Sequence, residues 1–135
     1  PSKITASGVL TEKGVDEQTS MIFDYADGAQ AVLSTTMMEQ TPCRAVVAGV
    51  NGWLELDRVF YSPTSMRVNF FDGSVTHYPN AYKGHGIREE AEVFKQLVLS
   101  GKQQSELLNW NDTVDIMKTL DTVRSHIGLR YPFEN

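Results

Sequence analysis

The residues best placed to bind a ligand lie in one short tract, Tyr82-Lys83-Gly84-His85-Gly86-Ile87-Arg88. A phenol, an imidazole and two cationic side chains stand here beside two glycines, directly before a predicted helix. Helix N-termini attract anions through their free N–H groups, and these side chains donate hydrogen bonds to carboxylates, phosphates or sugar hydroxyls. We therefore take Tyr82, His85 and Arg88 as candidate substrate-binding residues. The alternative is a surface loop with ordinary solvated charges.

The sequence predicts no catalytic, metal-binding or cofactor-binding residue. A dinucleotide site needs Gly-x-Gly-x-x-Gly after a parallel strand, whereas Gly84-His85-Gly86 has Glu89 at the third glycine position and lies outside any βαβ pattern. The histidines lack metal-ligand spacing, and no Gly-x-Ser-x-Gly elbow is present. His77 is interpreted as a solvated side chain. The single cysteine, Cys43, excludes an internal disulfide and is interpreted as a small buried hydrophobe.

Alternating apolar and polar residues predict strands over most of the first 78 residues. Three turn dipeptides, Asp27-Gly28, Asn51-Gly52 and Asp72-Gly73, are expected to close tight hairpins, the first of type I′. The result is a meandering antiparallel sheet of about six to eight strands. The expected strands cover residues 3–11, 18–26, 29–38, 45–50, 53–56, 66–71 and 74–78.

Helical spacing of apolar residues appears only after Gly84. It predicts one helix over about 87–100 and a second over about 112–127, the second with Asn111 as N-cap and Gly128 as its stop. Trp53, Trp110 and Phe94 are interpreted as core residues. Two amphipathic helices with one sheet predict an α+β two-layer sandwich, mostly antiparallel, with two or more helices packed on one face.

Length and composition exclude several classes of protein. The 135 residues predict a single domain, 1–135, and the 41% apolar and 21% charged residues are typical of a soluble globular chain. The net charge of −5 disfavours nucleic acid as a partner, and no apolar stretch is long enough to span a membrane. One cysteine and no visible signal peptide favour a cytoplasmic location.

The order of several segments resembles the C-terminal domain of the glucose-fructose oxidoreductase and inositol dehydrogenase family (Gfo/Idh/MocA). These segments are Gly14-Val15-Asp16, then Tyr25 to Ala31, then Gly49-Val50-Asn51-Gly52-Trp53-Leu54-Glu55-Leu56. The end of the chain, Met117 to Glu134, is most similar to the dihydrodiol dehydrogenase-like members. The resemblance spans essentially the whole sequence. Val50 and Ile87 depart from the usual residues of the family, which leaves the substrate class open.

The resemblance implies an NAD(P)-dependent oxidoreductase acting on a sugar, cyclitol or related alcohol. The family's N-terminal Rossmann domain is absent from this chain, and NAD or NADP is expected in the full-length protein only. Glu12-Lys13-Gly14 imitates the catalytic Glu-Lys-Pro motif of that domain but lies elsewhere and lacks the proline. The chain alone is expected to contribute substrate-pocket walls and a homo-oligomeric interface through the sheet face, and to be inert. The alternative is a free-standing interaction module that oligomerises through its open sheet face.

Overall fold

The computed structural model describes residues 1–62 and 64–134, which form two compact units. Unit 1 comprises residues 1–40 and 104–134, and unit 2 comprises the described residues between 41 and 103. Each unit has its own antiparallel sheet, so the α+β class is confirmed, while the strands form two sheets instead of one meander. The elements are β1 (Lys3–Leu10), β2 (Asp16–Asp24), β3 (Gln30–Thr36), β4 (Ala45–Gly49), β5 (Gly52–Leu56), β6 (Met66–Phe70), β7 (Val75–Tyr78), α1 (Ile87–Leu99) and α2 (Trp110–His126).

In unit 1, helix α2 packs against the three-stranded sheet β1-β2-β3. The buried apolar residues of unit 1 are Val123 in α2 and Leu129, which follows the helix. Gly8 of β1 allows the close approach, because a Cβ there would lie 3.1 Å from Ile127 Cγ2 and 2.9 Å from the Gln18 carbonyl oxygen. The opposite face of the sheet leaves Val9 and Val32 more than half exposed.

The chain segment after α2 is held back against that helix. The Arg124 guanidinium donates to Asp121 Oδ1 at 2.7 Å and to Glu134 Oε1 at 2.9 Å, and it lies 4.7 Å from the centre of the Tyr131 ring. Glu134 also accepts a hydrogen bond from the Tyr131 backbone N–H. That backbone donor, followed by Arg124, lowers the pKa of Glu134.

Unit 2 contains the four-stranded meander β4-β5-β6-β7 and helix α1. Because side chains alternate across a strand, the register places Glu55, Arg67 and His77 side by side on one face. Helix α1 buries none of its residues, and Phe94 is 67% exposed. The expectation that Phe94, Trp53 and Trp110 are core residues is therefore wrong for the described chain, because no described element covers these side chains fully.

The hairpin turns differ from the predicted ones. At Asp27-Gly28 and Asp72-Gly73 only the glycine has positive φ, and each loop has three residues instead of two. The aspartate accepts a hydrogen bond from the backbone N–H two residues later, so it keeps a right-handed conformation and leaves only the glycine left-handed. In the β4–β5 hairpin the turn residues are Val50 and Asn51, since Gly52 already pairs with Gly49.

Helix α2 begins two residues earlier than predicted. Asn109, not Asn111, is the N-cap, because its side-chain oxygen accepts hydrogen bonds from the backbone N–H groups of Asn111 and Asp112. The Asp112 carboxylate accepts in return from the Asn109 backbone N–H and completes a capping box. Gly128, with φ of 73°, follows the helix as expected.

Candidate functional site

The tract singled out from the sequence forms the 80–86 loop and the first turn of α1, within unit 2. Gly84 and Gly86 have φ of 86° and 84°, a left-handed conformation that glycine adopts at little cost. Gly86 is also the N-cap of α1 and provides no side-chain cap. Tyr82 is 56% exposed, and its backbone N–H donates to Asn80 Oδ1 at 2.9 Å. The loop thus presents the Tyr82 ring to solvent from a defined turn.

His85 connects the loop to a neighbouring segment. Its Nδ1 lies 3.3 Å from Ser62 Oγ, a residue of the connection between β5 and β6. This contact orients the imidazole and leaves Nε2 as the ring nitrogen that Ser62 does not engage. His85 is therefore held in a position from which Nε2 can exchange a hydrogen bond with a ligand.

Arg88 is paired with its neighbour. Its Nη2 and Nε lie 2.6 Å and 3.1 Å from Glu89 Oε1, and its side chain is 79% exposed. The pKa of Glu89 is lowered, first by this guanidinium and then by the glutamate's own backbone N–H. Glu89 and Glu90 place two carboxylates in the first turn of α1. These two carboxylates balance the charges of Lys83 and Arg88, so the tract has no excess positive charge for an anion and suits neutral hydroxyl groups better.

The structure reveals a second polar cluster that the sequence reasoning missed. On the β5–β6 pair, Arg67 Nη2 lies 2.9 Å from Glu55 Oε2 and 3.6 Å from Asp57 Oδ1. Ser65 Oγ donates to Asp57 Oδ2 at 2.7 Å, and Trp53 Nε1 donates to Glu55 Oε1 at 2.7 Å. The alternation of Trp53 and Glu55 along β5, continued by Asp57 directly after the strand, was the signal in the sequence that could have indicated it.

Beside this cluster lies a cavity of about 450 Å³. Asp57, Ser65 and Arg67 line it together with Arg44, His77 and Tyr78. His77 is exposed, as the sequence interpretation expected, but it lies on this cavity wall.

No group of three or more histidine, cysteine, aspartate or glutamate side chains within 1–62 and 64–134 could hold a metal ion. Neither of the two described helices has the length and apolar character required to cross a bilayer. Every described strand pair is antiparallel, and Gly84-His85-Gly86 follows irregular chain, so the described residues do not contain the parallel strand, glycine-rich turn and helix of a Rossmann dinucleotide site.

Comparison with known proteins gives clear relatives. No family model matches the chain. Trans-1,2-dihydrobenzene-1,2-diol dehydrogenase of Xenopus tropicalis is 36% identical over 137 aligned residues, covering 98% of this chain and 42% of that protein. The zebrafish (Danio rerio) protein of the same name is 29% identical over 139 residues, covering 97% of this chain and 41% of that protein. The scyllo-inositol 2-dehydrogenase (NADP(+)) of Bacillus subtilis is 25% identical over 132 residues, covering 98% and 40%.

These relatives are all dehydrogenases, and each aligns with nearly the whole chain. The resemblance to the C-terminal domain of Gfo/Idh/MocA oxidoreductases is therefore confirmed, with dihydrodiol dehydrogenases among the relatives. The chain spans about two fifths of the length of the curated relatives it matches.

Proposed function

We propose that this chain is the substrate-binding and oligomerisation domain of an NAD(P)-dependent oxidoreductase that acts on a sugar, cyclitol or related alcohol. The observation that carries the proposal is the alignment of 98% of the chain with dehydrogenases whose names specify a dihydrodiol and an inositol as substrates. Both substrates carry neighbouring hydroxyl groups on a six-membered ring. The 80–86 loop, with its hydrogen-bonding side chains and its acidic first helical turn, suits such neutral hydroxyls.

The proposal divides the work between this chain and the rest of the enzyme. Hydride transfer requires a nicotinamide and a proton-relaying group held against the substrate carbon. In this proposal those parts belong to polypeptide outside this chain, since the described strands pair only in antiparallel fashion. Tyr82, His85 and Arg88 contribute one wall of the substrate pocket, where they orient hydroxyl groups. Tyr82 and His85 exchange hydrogen bonds with the substrate hydroxyl groups, while Arg88 stays paired with Glu89.

Exposed apolar residues support a role within a larger assembly. Helix α1 leaves Ile87, Phe94 and Val98, which lie on one face of the helix, between 59% and 72% exposed. Contiguous apolar surface of this kind marks contact with another domain or subunit. The outer face of the unit 1 sheet, with Val9, Ile22 and Val32, is the proposed homo-oligomeric interface.

A chimeric enzyme tests the proposal. In it, the matching segment of the Xenopus tropicalis dehydrogenase is replaced by residues 1–135, and turnover of its diol with nicotinamide cofactor is followed at 340 nm. We expect an active chimera in which His85→Ala raises KM about tenfold, because a substrate hydrogen bond is worth about 1 kcal/mol or more. His126→Ala is the matched control, since His126 is an exposed histidine of α2. A folded but inactive chimera, or equal effects of the two variants, would contradict the proposal.

The isolated chain provides the complementary measurement. Titration of residues 1–135 with NADH or NADPH is expected to give no saturable fluorescence change, because the cofactor site lies elsewhere. Micromolar binding would disprove the proposed division of labour. A chimera without activity, together with a stable oligomer of the isolated chain, would instead favour the interaction module, which the exposed sheet face of unit 1 supports.

A further inference from the structure

His85 is held by a residue from another segment of unit 2. Ser62 Oγ lies 3.3 Å from its Nδ1, and within residues 1–62 and 64–134 this is the hydrogen bond of the His85 side chain. His85 lies between Gly84 and Gly86, both in the left-handed conformation, and glycine gives such a loop considerable conformational freedom. In the described chain, the contact with Ser62 is therefore what restricts the imidazole.

Ser62 is itself well fixed. Its backbone N–H donates to the Val59 carbonyl oxygen at 3.0 Å, which closes a turn, and the residue is half-buried. Within the same turn, the Phe60 backbone N–H donates to the Cys43 carbonyl oxygen at 3.2 Å. A hydroxyl group on an anchored turn can impose an orientation on a side chain of the freer 80–86 loop.

The Ser62 hydroxyl also bears on which imidazole nitrogen carries the hydrogen. A neutral imidazole has one donor nitrogen and one acceptor nitrogen, and a hydroxyl group has one hydrogen to donate. If Nδ1–H donated to Ser62, the hydroxyl hydrogen of this half-buried residue would have no partner among the described residues. Donation from Ser62 to Nδ1 uses that hydrogen and places the imidazole hydrogen on Nε2, the nitrogen left for a ligand.

We propose that Ser62 is a positioning residue of the alcohol site, because its hydroxyl group holds His85 in the tautomer with hydrogen on Nε2. In this tautomer Nε2 donates to a substrate hydroxyl oxygen, and the hydrogen of that substrate hydroxyl remains free for an acceptor elsewhere in the enzyme. The role towards substrate rests on the proposed function, whereas the pairing of Ser62 with His85 does not.

Histidine NMR tests the pairing directly. Residues 1–135 labelled with nitrogen-15 at histidine are measured at about pH 9, where neutral histidine predominates. The His85 signals, identified by their loss in His85→Ala, are expected to show a protonated Nε2 and an unprotonated Nδ1. In Ser62→Ala the two nitrogen shifts should move towards each other, because the tautomers then exchange, while those of His77 and His126 stay unchanged. A protonated Nδ1 in the wild type, or unchanged His85 shifts in Ser62→Ala, would overturn the inference.

Kinetics of the chimeric enzyme test the role towards substrate. Ser62→Ala is expected to raise KM about threefold with kcat unchanged, and Ser62→Thr, which keeps a hydroxyl group, is expected to restore KM. In the His85→Ala background Ser62→Ala should have no further effect, because Ser62 acts through that imidazole. Ser125→Ala, the same change at an exposed serine of unit 1, is the control.

Two kinetic outcomes would overturn the positioning role. One is an effect of Ser62→Ala that persists in the His85→Ala background, and the other is an equal effect of Ser125→Ala. An inactive chimera would instead contradict the proposed function, and the NMR shifts of His85 would still decide whether Ser62 sets its tautomer.

Discussion

Gly52 is the residue at which the backbone leaves least space. A Cβ there would lie 2.1 Å from the Asn69 carbonyl oxygen, and its φ is 156°. Its register partner Gly49 is different, because a Cβ at that position would lie 3.7 Å from the nearest atom, the Gly52 carbonyl oxygen. The two glycines of one hairpin therefore have different roles, since only Gly52 permits the close pairing of β5 with β6.

This difference predicts unequal effects of two Gly→Ala substitutions. Gly52→Ala is expected to lower the free energy of unfolding by about 3 kcal/mol, the upper part of the range for overpacking, because a backbone oxygen must move. Gly49→Ala is expected to change it by less than about 1 kcal/mol. Urea unfolding followed by tryptophan fluorescence, to which Trp53 beside this hairpin contributes, measures both. Similar midpoints for the two variants would show that β5 and β6 do not approach as described.

Glu134 makes stability depend on pH in a defined direction. Its pKa is lowered from the ordinary value of 4.5, so its contribution is fully present above pH 4.5 and is lost as pH falls through the lowered value. Thermal unfolding of wild type and Glu134→Gln should therefore differ at neutral pH, with the wild type more stable, and converge as pH falls below 4.5. Glu12→Gln, a change on the β1–β2 connection, is the control expected to show no such convergence. A constant difference at all pH values would contradict the role of this carboxylate.

At the level of elements, the cap of α2 gives the sharpest test. Asn109→Ala removes the side-chain acceptor that Asn111 and Asp112 use, and it is expected to cost about 1 kcal/mol. Asn111→Ala is the matched control, because its backbone N–H still donates to Asn109 after the change. Urea unfolding followed by circular dichroism measures both variants. A larger loss of stability in Asn111→Ala than in Asn109→Ala would show that Asn111 is the N-cap, as the sequence predicted.

The elements themselves were largely predictable, because their signals are local. Alternation along 18–26 and the apolar spacing around Val123 predict a strand and a helix near their observed places. The helix start was misplaced because Asn109 and Asn111 are equally good caps by type, and only the hydrogen bonds distinguish them. The same holds for the hairpins, where the side-chain acceptor of Asp27 or Asp72 decides the turn type.

Candidate binding residues were predictable from the sequence only where they lie close together along the chain. The 80–86 loop was found because Tyr82, His85 and Arg88 are close in sequence. The cavity was not, because Arg44, Arg67 and His77 come from different parts of unit 2 and come together through strand register. A one-residue shift in pairing would move these side chains to the other face, so their proximity depends on the whole sheet.

At the scale of the whole molecule, the proposed subunit interface predicts an oligomer. Residues 1–135 are expected to form at least a dimer at micromolar concentration in light scattering. Val32→Lys on the outer face of β3 should shift the mass to that of a monomer, because a buried unpaired ammonium group is costly. Val50→Lys, in the β4–β5 turn and 91% exposed, is the control that should leave the mass unchanged. A monomeric wild type would contradict an interface on this face.

Unit 1 is assembled from two stretches that are far apart in sequence, since β1 to β3 precede unit 2 and α2 follows it. During synthesis the strands β1 to β3 leave the ribosome long before α2, the helix that packs against them. Unit 2 is complete before α2 is made. Closure of unit 1 therefore waits until residues 110–126 have been synthesised. A nascent chain stalled before residue 110 would expose the apolar side of β1 to chaperones. Synthesis of α2 is therefore the step that allows unit 1 to fold.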